Sequence, residues 1–325
     1  MIHTAQFYYP LGDIELKLIC SRFKETPLLL SKKIDIHFHG IITTFTKRPW
    51  GWTLYVNIDF IKLLGTADIS EKDLTEIEYK INDFICHVFG DEDKELTLIR
   101  LDFRFDVVVE DEAHRKLLLK LYKKTIETYS FKKKYDQYAS SIYFNSKSMQ
   151  VICYDKEVER RDKHQVVEPY ESGVLRFEVR LLNRHLNYIK RQYGSTKSLI
   201  NYLRDDVWKS YMSKHLCPFF FAGNFYKINI ATDIIDKSDV KEMDKTKLRE
   251  FLCDVSKCGL EGIKKLEKDG GKKGNEPKYT KYLVNKYLKL LKQLEINPLL
   301  IPKNMKIELG TEKCIYNPLP ASIIA

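Results

Sequence analysis

No stretch of this chain approaches the apolar length needed to cross a bilayer. Its first residues, M-I-H-T-A-Q-F-Y-Y-P, lack the basic segment and long apolar run of a signal peptide. The expected location is therefore the cytoplasm, with no membrane partner. The seven cysteines contain no C-x-x-C pair and are scattered singly. That usage suits buried thiols of a reducing compartment and argues against a zinc site. The run G-G-K-K-G at 270–274 fails the Gly-x4-Gly-Lys-Ser/Thr spacing of a P-loop, and no G-x-S-x-G segment occurs. No internal repeat is evident.

What is present is a folded, basic chain. It has 325 residues, 44% apolar, with 20 Tyr and 17 Phe, which is enough for one sizeable core or two smaller ones. The net charge of +10 is unevenly spread: residues 241–306 hold 17 Lys and Arg against 9 Asp and Glu, a local excess of +8. A lysine-rich region with interleaved tyrosines suits a polyanion, nucleic acid before membrane, and equally describes a solvated helix face.

Residues 34–46 and 52–61 read as strands. Residues 70–89 read as an amphipathic helix capped by Ser70, carrying Leu74, Ile77, Ile81, Ile85 and Val88 on one stripe and stopped at Gly90. A strand at 97–109 follows, then a helix over 112–129, a hairpin of 139–145 and 149–155 around S-K-S, a charged loop containing E-R-R-D-K-H-Q, and a strand at 174–182. This order predicts an α+β fold with a largely antiparallel sheet. From Ser195 the pattern turns helical: S-T-K-S-L-I-N-Y-L opens one helix, and 243–268 and 278–295 supply two more, joined by the connector at 269–277. The expected division is 1–95, an N-terminal α+β part that binds DNA; 96–205, a catalytic core; and 206–325, a basic and mostly helical region.

Three strands place polar side chains at alternate positions of apolar runs. In L-I-R-L-D-F-R-F-D-V-V-V at 98–109, strand geometry sends Arg100, Asp102, Arg104 and Asp106 to one face. V-L-R-F-E-V-R-L-L at 174–182 does the same with Arg176, Glu178 and Arg180, and Q-V-I-C-Y-D-K at 150–156 puts Tyr154 and Lys156 on a shared face. Carboxylates, arginines, a tyrosine and a lysine are the parts of a metal-assisted phosphoryl-transfer site. Tyr154 is the candidate nucleophile, with Lys156 to stabilise a phenolate or contact phosphate, and Arg100 and Arg176 as cations for the phosphate. Asp102 and Glu178 are candidate ligands for Mg²⁺ or Mn²⁺, and Glu159 completes the metal set or acts as a base. The competing assignment pairs each carboxylate with its flanking arginine in a structural ladder, and leaves Glu159 as a solvated charge. His37-Phe38-His39, as a strand, would direct both imidazoles to one side in the manner of a different class of tyrosine nickases.

The segments R-L-D at 100–102, Y-D-K-E-V-E at 154–159 and R-F-E at 176–178, in this order, resemble the gene II/X replication initiators of filamentous phages and the Rep_trans initiators of rolling-circle plasmids. S-G-V-L-R-F-E-V-R-L followed by R-H-L favours the phage branch, while the hairpin around S-K-S is closer to the plasmid branch. The resemblance covers roughly 95–205. It implies an enzyme that nicks and closes origin DNA: Tyr154 attacks a phosphodiester, forming a 5′-phosphotyrosine and freeing a 3′-OH primer, with Asp102, Glu178 and Glu159 at the family's acidic positions. Asp106 matches only the plasmid branch. The implied partner is single-stranded or locally melted origin DNA; a host helicase and a second copy of the chain stand as further candidates. Two alternatives remain open: His37 and His39 as metal ligands of the same enzyme class, or a basic DNA-binding protein without catalysis.

Overall fold

Alternation of apolar and polar residues produces the strands that carry the candidate site, and the computed structural model describes them within residues 1–91, 93–123, 132–133, 140–267, 276–303, 314–320 and 323. The chain begins with β1 (Ile2–Leu11), α1 (Asp13–Phe23), α2 (Leu30–Asp35), β2 (Ile41–Arg48), β3 (Gly51–Asp59), α3 (Phe60–Leu64) and α4 (Leu74–Phe89). Next come β4 (Thr97–Val108), α5 (Glu112–Lys123), β5 (Lys132–Lys133), β6 (Ser141–Asn145), β7 (Met149–Asp155), α6 (Lys156–Asp162), β8 (Val174–Leu182) and α7 (Asn183–Tyr193). The remainder is α8 (Asp205–Phe220), β9 (Phe225–Tyr226), α9 (Ile228–Lys237), α10 (Glu242–Lys264), α11 (Lys281–Gln293) and β10 (Cys314–Ile315). The fold is α+β. Every pairing whose register is described, β1 with β3 and β4, β2 with β3, β5 with β6 and β9 with β10, is antiparallel.

Two units share this chain. The first comprises residues 1–105, 146–151 and 178–211; the second comprises 106–145, 152–177 and 212–325. Strands β4, β7 and β8 each contribute residues to both. In the first unit the strands are ordered β2-β3-β1-β4-β8. One sheet face is apolar: Ile41, Phe45, Leu54, Val56, Ile58, Ala5, Phe7 and Leu101 are buried there. The α4 stripe of Ile77, Phe84, Ile85 and Val88 is buried too. Ser70 begins a capping box before α4, and Gly90 ends the helix at φ 70°, so both expected boundaries hold.

In the second unit β8, β7, β6 and β5 follow in order. Tyr122, Phe144, Phe177, Phe219 and Phe220 form its aromatic centre, with Phe144 and Phe219 ring centroids 3.8 Å apart. The helices α9, α10 and α11 bury Leu248, Phe251, Leu252, Tyr287 and Leu291 around one another. The seven cysteines form no disulfide, and no described helix is long and apolar enough to cross a membrane.

Several expectations need correction. Residues 34–40 are not strand: α2 ends at Asp35, a turn covers 36–40, and β2 starts only at Ile41. The charged segment read as a loop is helical over Lys156–Asp162, because Asp155 caps it by accepting from the Val158 amide at 3.1 Å. The helix expected from Ser195 reduces to one short turn at Leu199–Asn201. The 112–129 helix is seen to Lys123; its expected remainder, the start of the hairpin at 139 and most of the 269–277 connector lie outside the described residues.

Candidate active site

In the first unit, β4 and β8 bring Asp102 and Glu178 into one buried charge cluster. The Asp102 side chain is 1% exposed and the Glu178 side chain 0%. Arg100 grips Asp102 with two bonds, its Nε lying 2.8 Å from Oδ1 and its Nη2 on Oδ2. The Thr4 hydroxyl donates to Asp102 Oδ2 at 2.7 Å. Arg180 bridges the pair: its Nε stands 3.3 Å from Asp102 Oδ2, and its Nη2 donates to Glu178 Oε2 at 2.6 Å. His3 Nδ1 completes the group, 3.0 Å from Glu178 Oε1.

The arginine ladder weighed from the sequence is thus present. Two buried carboxylates sharing one cation also match, in donor type, what Mg²⁺ or Mn²⁺ takes, with an imidazole nitrogen and a hydroxyl beside them. Among the described residues no three His, Cys, Asp or Glu side chains already stand as a metal-binding group. Asp102 and Glu178 are the residues that would hold such an ion, in competition with Arg180.

The second unit holds Tyr154, Lys156, Glu159 and Arg176. Tyr154 lies near the end of β7 and is 7% exposed. Lys156 is the first residue of α6 rather than part of the strand, yet its Nζ sits 5.8 Å from the Tyr154 ring centroid. A buried cation over an aromatic face is attracted by the ring quadrupole. Lys156 Nζ donates to Glu159 Oε2 at 2.7 Å and lies 3.6 Å from Glu171 Oε1. Glu171 is fully buried and accepts two bonds from Arg160, at 2.8 and 2.7 Å.

Burial lowers the proton affinity of Lys156, as does the charge of Arg176, against the pull of Glu159. Burial raises Glu159, but its hydrogen bonds from Lys156 and Lys163 prevail and hold it below the usual carboxylate range. Glu171 is likewise pushed up by burial and brought below its ordinary value by Arg160 and Lys156. Arg176 is fully buried and clasps Asp106 through two bonds, of 2.7 and 2.8 Å, which gives Asp106 a definite partner.

A further network fixes the corner between β7 and α6. Arg115, 1% exposed, donates to Asp155 Oδ2 at 2.7 Å, to Glu157 Oε2 at 3.0 Å, and to the carbonyls of Val109 and Glu110 at 2.7 and 2.8 Å. Glu157 Oε2 also accepts the Gly173 amide at 2.9 Å.

Asp102, Glu178 and Arg100 therefore gather in the first unit, and Tyr154, Lys156, Glu159 and Arg176 in the second. His37 and His39 lie in the turn after α2, so the strand alternation that would aim both rings one way does not exist there. His37 packs on His87 at 5.0 Å between ring centroids, while His39 lines a cavity with Lys62 and Asp59. Sequence reasoning missed His3, Thr4, Glu171 and Arg160. The first two sit on β1, whose alternating buried Ala5 and Phe7 gave a usable strand signal. Glu171 ends a short turn in a charged loop and carried no signal.

Residues 65–199 match the family Phage_CRI, described as the N-terminal part of a replication-associated protein. The matched segment is somewhat under half of the chain, and it is similar to the N-terminal part of that replication-associated protein. No curated protein matches the chain.

Proposed function

We propose that this protein initiates rolling-circle DNA replication by nicking and rejoining origin DNA through Tyr154. The observation that carries this reading is positional: Arg100, Asp102, Tyr154, Lys156, Glu159, Arg176 and Glu178 all fall inside the 65–199 segment. The Tyr154 phenol oxygen attacks the scissile phosphorus, the phosphorus–O3′ bond breaks, and the departing 3′ oxygen takes up a proton. One phosphodiester is exchanged for a 5′-phosphotyrosine, so the step is close to thermoneutral and reverses without ATP, in keeping with the failed P-loop spacing. The Lys156 charge beside the ring stabilises the phenolate as the proton leaves. Glu159 pulls the proton affinity of Lys156 up against its burial. The resemblance assigns to Mg²⁺ or Mn²⁺, held by Asp102 and Glu178, the charge that positions and polarises the phosphate.

A labelled single-stranded oligonucleotide from the DNA flanking the gene, incubated with Mg²⁺ or Mn²⁺, tests this on a denaturing gel. A covalent protein–DNA band that disappears in Tyr154→Phe is the expected result. A second reading, DNA binding without catalysis, is favoured by the arginines that already neutralise Asp102 and Glu178. It predicts salt-sensitive binding and no covalent band with either metal.

A further inference from the structure

The sheet face of the first unit opposite its apolar core carries polar and aromatic rows. Register places Ile42, Asn57, Gln6 and Arg100 side by side across β2, β3, β1 and β4. Thr44, Tyr55 and Tyr8 form the next row on the same side. This face is open: Ile42 is 58% exposed, and Gln6, Tyr8, Tyr55, Asn57 and Arg100 are all part-exposed.

Over the first row lies a cavity of about 570 Å³, walled by His39 of the turn after α2 and by Lys62 of α3. That volume falls within the roughly 300–1,000 Å³ typical of small-ligand sites. Among the described residues neither the Gln6 nor the Asn57 side-chain amide has a hydrogen-bonding partner. Each amide pairs a donor with an acceptor, the arrangement that meets the edge of a nucleobase in bidentate fashion. The two acids of the lining are already engaged. Asp35 accepts from the amide and hydroxyl of Thr43, and Asp59 caps α3. Lys62 keeps its ammonium without a partner among the described residues, and Arg48 lies over the Tyr55 ring at 5.8 Å.

We infer that this cavity seats one unstacked base of single-stranded DNA, with Gln6 and Asn57 reading its edge. A neighbouring base stacks on Tyr8, and backbone phosphates are drawn by Lys62 and by Arg48, which Tyr55 holds in place. Thr4 and Arg100 line the cavity and both bind Asp102, so the seated nucleotide adjoins the buried acid pair. The inference rests on the proposed function in taking origin DNA as the occupant, and it adds where one position of that sequence is read.

The test is a selection of randomised single-stranded DNA by the full-length protein, with the bound fraction sequenced for wild type, Gln6→Met and Asn57→Leu. A bidentate amide–base pair discriminates by about 1–3 kcal/mol, so a preference of roughly five-fold to a hundred-fold or more is expected at one position. Each substitution should flatten that position alone and leave the others and the salt dependence of total affinity unchanged. Lys62→Gln should instead weaken all sequences alike and reduce the salt slope by about one unit. An unchanged preference profile in both amide variants, no preference in wild type, or uniform loss at every position would overturn the inference. Equal or stronger selection from a matched RNA pool would overturn the DNA assignment. The Tyr154 covalent band is scored separately: base preference without the band sinks the nicking reading alone, and the band with unaltered preference in both variants sinks this one alone.

Discussion

Asp155→Ala should be among the most destabilising single changes in the second unit, and its cost can be worked from two bonds. Asp155 Oδ2 accepts Arg115 Nε at 2.7 Å, both side chains being 1% exposed, and Oδ1 accepts the Val158 amide that opens α6. Loss of a helix cap costs about 1 kcal/mol. Breaking a buried ion pair by removing one partner costs about 3–5 kcal/mol. Arg115 retains Glu157 and two carbonyl acceptors, so the low end applies and the sum is about 4 kcal/mol. Asp155→Asn keeps a neutral acceptor and a capping oxygen, and should cost only about 1–2 kcal/mol. Urea unfolding reads both values as a lowered midpoint at unchanged slope. An Asp155→Ala protein within about 1 kcal/mol of wild type, or an Asn variant as unstable as the Ala variant, would refute the reasoning. The same corner sets Lys156 beside the Tyr154 ring, the pair on which the proposed nicking rests.

Arg180→Met strips the shared cation from Asp102 and Glu178, but Asp102 keeps Arg100 and Thr4 and Glu178 keeps His3, so the low end applies and the cost without divalent ions should be about 3 kcal/mol. Mn²⁺ should restore part of that loss in a thermal-shift assay, and a variant that Mn²⁺ leaves unchanged speaks against a metal at these acids. Glu159 and Glu171 have folded values below their ordinary ones, so the unfolded chain binds more protons as pH falls through the carboxylate range. Their stabilisation is complete above the ordinary carboxylate range, about pH 5, and is lost as the pH falls through that range and below it. Melting temperature against pH should therefore fall less steeply over that window in Glu171→Gln than in wild type. Gly40 has φ +85°, and an added Cβ would lie 2.5 Å from the Leu63 nitrogen and 2.8 Å from the Asp59 oxygen. Gly40→Ala should lower stability by more than about 1 kcal/mol, read as a melting shift.

Strands β4 and β8 and helix α4 were legible because burial on one face forces a regular period of two or of 3.6. The charged faces of β4 and β8 were legible for the same reason, which is why Asp102, Glu178 and Arg176 could be singled out. Helix α6 was misjudged although its signals were present: Asp155 at the cap, Glu157 and Glu159 in the first turn, Arg160 and Arg161 in the last. A dense charge run looks like solvated loop until tertiary contacts, here Arg115 and Glu171, hold it. His37-Phe38-His39 failed the other way, since alternation over three residues does not distinguish a strand from a turn. Nothing local in the sequence marked Glu171, because its role depends on Arg160 and Lys156 arriving from another element.

The most direct test of the central claim is the covalent-adduct assay on flanking single-stranded DNA with wild type and Tyr154→Phe side by side. A metal-dependent covalent band in wild type that is absent from Tyr154→Phe is the predicted result. A band that persists in Tyr154→Phe would contradict the assignment of the nucleophile, and stable DNA binding with no band under either metal would contradict the nicking reaction itself.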